Sequence, residues 1–152
     1  MKKKIKGLWL FGFSGSGKSF ISNKIHQLVK NSVIIDGDEV RKKISFDLSY
    51  SITDRITQTQ RLFGISEILI SNKLFPIVSS SYLGKDIFNL AKKKNFLIIK
   101  IIRKKALLRK SVFKLKTNVV GKDIKLPNFK CMEIKNDTKI IKKIERIISS
   151  II

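Results

Sequence analysis

The segment that most restricts the fold of this chain is an octapeptide near its N-terminus, Gly12-Phe13-Ser14-Gly15-Ser16-Gly17-Lys18-Ser19. It matches the phosphate-binding loop (P-loop) pattern G-x-x-x-x-G-K-[ST] in full. Glycines let the backbone curl so that successive N–H groups face phosphate oxygens, and the following helix adds its positive N-terminal end. We therefore expect the chain to bind ATP, with Lys18 reaching the β- and γ-phosphates and Ser19 helping to hold Mg²⁺. The residues expected to contact ATP in this segment are Gly12, Ser14, Gly15, Ser16, Gly17, Lys18 and Ser19.

Short apolar runs alternate with longer amphipathic runs along the chain. The predicted strands are Ile5 to Phe11, Val33 to Ile35, Leu74 to Val78, Phe96 to Ile102 and Cys131 to Ile134. The predicted helices are Lys18 to Lys30, about Asp54 to Asn72, Lys85 to Lys93, the start of the basic segment from Lys104 to about Lys116, and Thr138 to Ile152. Such alternation implies right-handed crossovers and a parallel sheet sandwiched between helices. The prediction is one α/β domain, residues 1–152, with the fold of P-loop nucleoside triphosphate hydrolases and kinases.

The charge of the chain is strongly positive, with 33 Lys and Arg against 11 Asp and Glu and a formal net charge of +22. Only six of these basic residues are arginines, and 26 isoleucines accompany only two alanines, which is the composition expected of an AT-rich genome. The charge favours binding of anions in general. It does not identify a nucleic-acid-binding protein, and we expect a small-molecule nucleotide as the partner.

The composition also bears on where the chain works. A single cysteine, Cys131, excludes an internal disulfide framework and favours a reducing cytoplasm. No apolar run reaches the roughly 18 residues that a membrane span needs. The N-terminal segment is basic and then apolar like a secretion signal, but glycines interrupt it and no small-residue cleavage site follows. We expect a cytoplasmic protein that does not bind membranes.

A second cluster follows the second predicted strand, where Asp36-Gly37-Asp38-Glu39-Val40-Arg41 gathers three of the eleven acidic residues. In an open parallel sheet, ligands bind beyond the carboxyl ends of the strands, so this cluster is expected beside the phosphate loop. A carboxylate there can orient an acceptor hydroxyl and accept its proton, or hold a metal-bound water. Arg41 could pair with a phosphate or sulfate. The plainer reading is an acidic turn that caps a helix.

These segments together resemble the adenylylsulfate (APS) kinase family. The chain continues with Asp47-Leu48-Ser49-Tyr50-Ser51 and Asp54-Arg55. The family patterns are G-x-S-G-S-G-K-[ST], D-G-D-x-x-R and D-L-G-F-S-x-x-D-R, and the segments of this chain resemble them in that order and at those spacings. The resemblance covers most of residues 7–82 and weakens beyond them. It implies an ATP-dependent kinase that transfers the γ-phosphoryl group to the ribose 3′-hydroxyl of an activated nucleotide, and it suggests a homodimer.

The resemblance also implies roles for individual residues. Asp38 corresponds to the family's catalytic aspartate and Asp36 to its neighbour. With Lys18 of the phosphate loop, they are the residues expected to be catalytic. Tyr50 stands where the family has a phenylalanine that stacks on the acceptor base, although an ordinary core aromatic is the alternative. Ser80 matches a serine that takes up phosphate in some members and receives no catalytic role here. The residues expected at the acceptor nucleotide are Asp36, Asp38, Arg41, Tyr50, Arg55, Gln58 and Ser80.

Departures from the family pattern bear on the acceptor. Gln58 replaces an acceptor-contacting asparagine, and the family segment I-S-P-Y appears as Ser79-Ser80-Ser81-Tyr82. The lid motif R-D-x-K-G-L-Y is absent, with Arg109-Lys110-Ser111-Val112-Phe113-Lys114-Leu115 in its place. The missing motif favours a changed acceptor, namely the cytidine diphosphoramidate of a capsule phosphoramidate pathway. Adenylylsulfate, in sulfate activation, is the other acceptor that the resemblance allows.

The basic run around the expected lid contains Arg103, Lys104, Lys105, Arg109 and Lys110. Cationic lid residues can close over ATP and stabilise the transferring phosphoryl group. Arg109 is our candidate for this role, and a solvated helix face is the alternative. Two further readings of the whole chain stay open: another small-molecule P-loop kinase, or a non-catalytic protein that binds ATP and nucleic acid. The pathway and the oligomeric state are not readable from the sequence.

Overall fold

The computed structural model describes residues 4–104 and 116–151. Five strands are present in this part of the chain: β1 (Gly7–Phe11), β2 (Ser32–Asp36), β3 (Phe75–Ser80), β4 (Phe96–Ile102) and β5 (Met132–Lys135). The helices are α1 (Lys18–Leu28), α2 (Gly37–Lys43), α3 (Ile52–Ser71), α4 (Lys85–Lys93) and α5 (Ile140–Ser149). None of the described helices is long and apolar enough to cross a membrane.

The five strands form one sheet in the order β2-β3-β1-β4-β5, and every neighbouring pair is parallel. The central strand β1 lies between β3 and β4, so the loop that follows Phe11 leaves the middle of the carboxyl edge. Asp36 at the end of β2 lies opposite Ser79 of β3, and Phe11 lies opposite Ser80. This register brings the ends of β1, β2 and β3 together at one edge.

The apolar core has two layers because side chains alternate across the pleat of β1. Leu8 and Leu10, both fully buried, pack with residues of α1 and α5 on one face of the sheet. Trp9 and Phe11, equally buried, pack with residues of α3 and α4 on the other face. The sheet is therefore covered by helices on both faces, which confirms the predicted α/β fold class.

The predicted elements that fall within the described residues all have a counterpart in the structure, whereas most of the predicted helix in the segment from Lys104 to about Lys116 lies outside the described residues. Helix α4 and strand β4 have the predicted bounds. Strand β3 extends to Ser80, so Ser79 and Ser80 belong to the strand and not to the loop after it. Helix α2 was not among the predicted helices, but the plainer reading of the acidic cluster, a turn that caps a helix, is confirmed for Asp36. The helix is short, and it begins directly at Gly37 because Asp36 accepts hydrogen bonds from the N–H groups of Asp38 and Glu39.

Candidate functional site

The phosphate loop runs from the end of β1 into α1. Gly12 and Gly17 adopt φ angles of 153° and 96°, a region that side chains other than glycine rarely enter. A Cβ atom on Gly12 would also collide with the carbonyl oxygen of Ile101, and one on Gly17 would collide with the side-chain amide of Asn136. Two of the motif glycines are thus required both by backbone conformation and by contact with the strands beside them.

Lys18 and Ser19 lie in the first turn of α1, at the mouth of this loop. The Lys18 ammonium donates hydrogen bonds to the carbonyl oxygens of Gly12 and Phe13 at 2.8 and 2.9 Å, so it is held within the loop. The Ser19 hydroxyl donates to Asp36 Oδ2 at 3.1 Å. The side chains of Lys18 and Ser19 therefore lie at the loop interior and at the end of β2, where the phosphates of a bound nucleotide are expected.

The two aspartates of the acidic cluster have different surroundings. Asp36 caps α2, with Oδ1 accepting from the Asp38 and Glu39 amides at 2.9 and 3.2 Å, and it also accepts from Ser19. No residue in the described part of the chain donates a hydrogen bond to the Asp38 carboxylate, which lies exposed on the wall of the cavity. Asp36 is committed to holding α2 and Ser19 in place, whereas Asp38 can meet a ligand.

Tyr50 lies beside two guanidinium groups. The Cζ atom of Arg41 is 4.4 Å from the centre of the Tyr50 ring, and that of Arg55 is 5.3 Å from it. Arg41 is 9% exposed and donates to the carbonyl oxygen of Ser49 at 2.6 Å. Arg55 donates to the carbonyl oxygens of Tyr50 and Asn118 at 3.1 and 2.8 Å. The predicted acceptor residues Arg41, Tyr50 and Arg55 are thus in direct contact.

The electrostatics of this cluster favour an anion. Burial, and after it the positive charge of Arg41, lowers the pKa of the Arg55 guanidinium below its ordinary value. The lowered pKa means that the charged form of Arg55 is destabilised at this position, because the guanidinium is partly removed from water and lies near the positive charge of Arg41. Arginine nevertheless stays protonated in proteins. A negatively charged group placed between the two guanidinium groups would therefore be stabilised by both.

The loop that carries Tyr50 is braced on both sides. Asp54, near the start of α3, accepts hydrogen bonds from the backbone amide and the hydroxyl of Ser49. These hydrogen bonds lower the pKa of the Asp54 carboxyl below its usual range. Arg61 pairs with Asp47 through two hydrogen bonds of 2.6 and 2.7 Å. The exposed Tyr50 ring is therefore presented on a fixed backbone.

Gln58 of α3 is 4% exposed and lines the same cavity. Its Nε2 donates to the carbonyl oxygen of Gly37 at 3.0 Å, which leaves its Oε1 buried without a hydrogen-bond partner. An unpaired buried acceptor is costly unless a ligand supplies the donor. The Gln58 amide nitrogen is thus bound to the start of α2, while the amide oxygen lies buried in the wall of the cavity.

Ser80 has a different environment from the other predicted acceptor residues. Its hydroxyl accepts a hydrogen bond from Trp9 Nε1 at 2.9 Å and donates one to the carbonyl oxygen of Tyr82 at 2.7 Å. Both capacities are used inside the protein, and the residue is 8% exposed. Ser80 lines the cavity, but its hydroxyl is hydrogen-bonded to Trp9 and Tyr82 within the protein.

We expect Ser80→Ala to lower the free energy of unfolding by about 1–3 kcal/mol, because it leaves the buried indole N–H of Trp9 without a partner. Chemical denaturation followed by circular dichroism measures this. The matched control is Ser71→Ala at the end of α3, whose exposed hydroxyl donates to the Glu67 carbonyl oxygen. Its free energy of unfolding should stay within about 0.5 kcal/mol of the parent. Equal stability of the two variants would contradict this role for Ser80.

One cavity of about 630 Å³ brings most of the predicted residues together. Its lining includes Ser14, Gly15, Gly17, Lys18, Ser19, Asp36, Asp38, Arg41, Tyr50, Arg55, Gln58 and Ser80. Gly12 and Ser16 lie behind this surface in the buried part of the loop. Arg109, the predicted lid residue, lies outside the described residues.

The cavity also contains residues that motif analysis missed. Arg103, directly after β4, donates to the carbonyl oxygen of Gly15 at 3.0 Å, whereas the sequence placed it only in a basic run. Tyr82 and Val120 line the cavity and pack with Phe13 of the phosphate loop in a small apolar cluster. A Cβ atom on Gly121 would lie 2.8 Å from the Phe13 ring. Residues 116–124 therefore touch the phosphate loop directly.

The charges around the cavity explain what it can bind. The described lining holds six cationic side chains, Lys18, Arg41, Lys42, Arg55, Arg103 and Lys116, and only two acidic ones, Asp36 and Asp38. This excess favours ligands with several negative charges. The Ser19 hydroxyl is a hard oxygen ligand at the end of the loop, which suits Mg²⁺, an ion that commonly binds through one or two protein groups together with substrate phosphates. The residues present thus fit a magnesium–nucleotide complex.

Comparison with known proteins gives the same picture. A family model described as adenylylsulphate kinase matches residues 4–84. The adenylyl-sulfate kinase of Buchnera aphidicola subsp. Schizaphis graminum is 36% identical over 76 residues, which are 47% of this chain and 36% of that protein. The bifunctional enzyme CysN/CysC of Xylella fastidiosa is 36% identical over 78 residues, 49% of this chain and 12% of that protein. The matched segment thus spans only a minor part of the length of these relatives.

The fold likeness extends over nearly the whole chain. The structure of the Mycobacterium tuberculosis APS kinase CysC in complex with AMPPNP and APS superimposes with a TM-score of 0.78 and covers 96% of each chain. The sequence identity in this superposition is 20%, so it establishes a common fold and no more.

Proposed function

Because the chain belongs to the adenylylsulphate kinase family, we propose that it is an ATP-dependent kinase that phosphorylates the ribose 3′-hydroxyl of an activated nucleotide. The observation that carries the proposal is the single cavity in which the phosphate loop, the Asp38 carboxylate and the Arg41–Tyr50–Arg55 cluster face one another. A donor bound on the loop and an acceptor bound on the cluster would meet beside Asp38.

The proposed reaction is a direct phosphoryl transfer. The acceptor 3′-oxygen attacks the γ-phosphorus of ATP, the bond from that phosphorus to the β,γ-bridging oxygen breaks, and ADP leaves with the bond electrons. Asp38 accepts the proton of the hydroxyl. Lys18 stabilises negative charge on the β- and γ-phosphates, and Asp36 holds Ser19 and the first turn of α2. Ser19 would help to hold Mg²⁺ together with the phosphates, and the ion would supply further positive charge to the transferring group.

The acceptor site in this proposal is the cluster around Tyr50. The exposed Tyr50 ring offers a plane on which a nucleobase can stack. Arg41 and Arg55 bind the anionic groups of the acceptor, and Gln58 lines the same cavity. Adenylylsulfate is supported by the family, whereas the lost lid motif at residues 109–115 favours cytidine diphosphoramidate. The relatives offer no support for a role in capsule biosynthesis. The single domain and the homodimer stay predictions.

The experiment that tests the proposed function is ADP release by the purified chain with ATP and Mg²⁺ and one acceptor at a time. The panel contains adenylylsulfate, cytidine diphosphoramidate, CDP, CMP and AMP. We expect turnover with an activated nucleotide and little with CMP or AMP, which lack the second acidic group. The position of the new phosphate is read by ³¹P NMR of the product.

Each outcome bears on a separate part of the proposal. Turnover with adenylylsulfate assigns sulfate activation, and turnover with the cytidine compound alone assigns the changed acceptor. Phosphorylation at any atom other than the 3′-oxygen would overturn the proposed reaction. Absence of turnover with every acceptor, in a sample that binds ATP, would overturn the acceptor assignment and leave the ATP site to be judged by binding alone.

A further inference from the structure

The phosphate loop is held from behind by a residue far away in the sequence. Asn136 follows β5, and its side-chain amide donates to the carbonyl oxygen of Ser16 at 2.8 Å. The backbone N–H of Asn136 is itself fixed by a hydrogen bond of 2.8 Å to the carbonyl oxygen of Ile102. The missing Cβ of Gly17 is what makes room for the amide. Asn136 therefore reaches the loop from a fixed point on the sheet.

A second side chain makes the equivalent contact one peptide earlier. Arg103 follows β4, and its Nη1 donates to the carbonyl oxygen of Gly15 at 3.0 Å. Two consecutive carbonyl oxygens of the loop, on Gly15 and Ser16, are thus bound by donors from the ends of two neighbouring strands. We call Arg103 and Asn136 the strand-end pair.

The geometry of the peptide unit gives these contacts a consequence for ligand binding. In a trans peptide the C=O and the following N–H point in opposite directions. Holding the Ser16 carbonyl against Asn136 therefore turns the Gly17 N–H to the opposite side, and Gly17 lines the cavity. We propose that the strand-end pair are positioning residues, which fix the peptides after Gly15 and Ser16 so that the loop is shaped for a triphosphate before it binds.

Pre-organisation of this kind contributes to affinity by removing the cost of ordering the loop. The inference rests only on the ATP-binding half of the proposed function and is independent of the acceptor. The role of the strand-end pair can be distinguished from recognition of adenine. A residue that shapes the loop acts on any triphosphate, whereas a residue that contacts the base acts on ATP alone.

The test measures binding of ATP·Mg²⁺ and of inorganic tripolyphosphate·Mg²⁺ by isothermal titration calorimetry, without acceptor. For Asn136→Ala we expect both dissociation constants to rise by the same factor, about fivefold to tenfold. The control is Asn72→Ala at the end of α3, which removes an amide that also donates to a backbone carbonyl, that of Ile68 at 2.8 Å, away from the cavity. Asn72→Ala should leave both constants unchanged.

Arg103→Met supplies the second arm, with Arg146→Met on the exposed side of α5 as the control that removes the same charge. We expect Arg103→Met to raise the dissociation constants of both ligands. The double variant of Arg103→Met and Asn136→Ala should raise them by less than the product of the two single factors, because both side chains hold the same loop. A melting temperature unchanged within about 2 °C keeps the binding loss distinct from unfolding.

Three results would overturn the inference. Unchanged affinity for both ligands in Asn136→Ala would show that the loop needs no support from β5. Weaker binding of ATP with unchanged binding of tripolyphosphate would mean that Asn136 contacts the base or the ribose. An equal loss of affinity in Asn136→Ala and Asn72→Ala would mean that general destabilisation causes the effect. If no acceptor were ever phosphorylated, these binding results would stand unaffected.

Discussion

Replacing Lys18 with alanine is expected to abolish phosphoryl transfer, with a loss of at least about 10³-fold in kcat/KM for ATP. The Lys18 ammonium is the only charged side chain that the described phosphate loop, Gly12 to Ser19, holds within itself, through the carbonyl oxygens of Gly12 and Phe13. When ATP binds, we expect Lys18 to transfer these contacts to the β- and γ-phosphates. Its loss removes a positive charge from where negative charge accumulates in the transition state.

The measurement is ADP release at saturating acceptor, with ATP binding followed in parallel by calorimetry. The control is Lys24→Ala, two turns further along α1, which removes the same charge from a residue outside the cavity lining. In a chain with a net charge of +22 the general attraction for ATP hardly changes in either variant. Comparable activity of the two variants would remove Lys18 from the proposed mechanism.

The site residues that could be predicted from the sequence are those that lie in short contiguous motifs. The octapeptide at residues 12–19 and the acidic cluster at 36–41 each follow a strand of the same parallel sheet, so their meeting at one edge follows from the fold class. Arg41, Tyr50 and Arg55 could be placed by their family spacing. Their mutual contact, with both guanidinium groups around one ring, needed the structure.

Other features of the site depend on contacts between distant parts of the chain, which no local pattern records. Asn136 reaches Ser16 across 120 positions, and Arg103 reaches Gly15 across 88. The burial of the Ser80 hydroxyl depends on Trp9, whose ring orientation is set by core packing. Helix α2 escaped prediction because seven residues are too few to show a helical apolar period, and its start is determined by the Asp36 cap.

Because Asp36 is used to cap α2 and bind Ser19 whereas Asp38 is not, substitution of Asp38 should have a large effect on turnover. Asp38→Asn is expected to lower kcat by about 10²–10⁴-fold while the dissociation constant of ATP changes little. The substitution keeps the size and shape of the side chain and removes its capacity to accept a proton. Asp38 can be changed without disturbing the fold, because within the described residues its carboxylate receives no hydrogen bond, whereas the carboxylate of Asp36 caps α2 and binds Ser19.

Asp86→Asn is the matched control, because Asp86, like Asp38, lies in the first turn of a helix, here α4. Both substitutions remove one negative charge near a helix N-terminus, so their effects on stability through the helix dipole should be similar and small. Only the Asp38 variant should lose turnover. Because the proposed role is acceptance of a proton from the acceptor hydroxyl, single-turnover kinetics should place the loss in the transfer step. Near-normal turnover in Asp38→Asn, with product release excluded as the slow step, would mean that the hydroxyl is activated by position and phosphate charge alone.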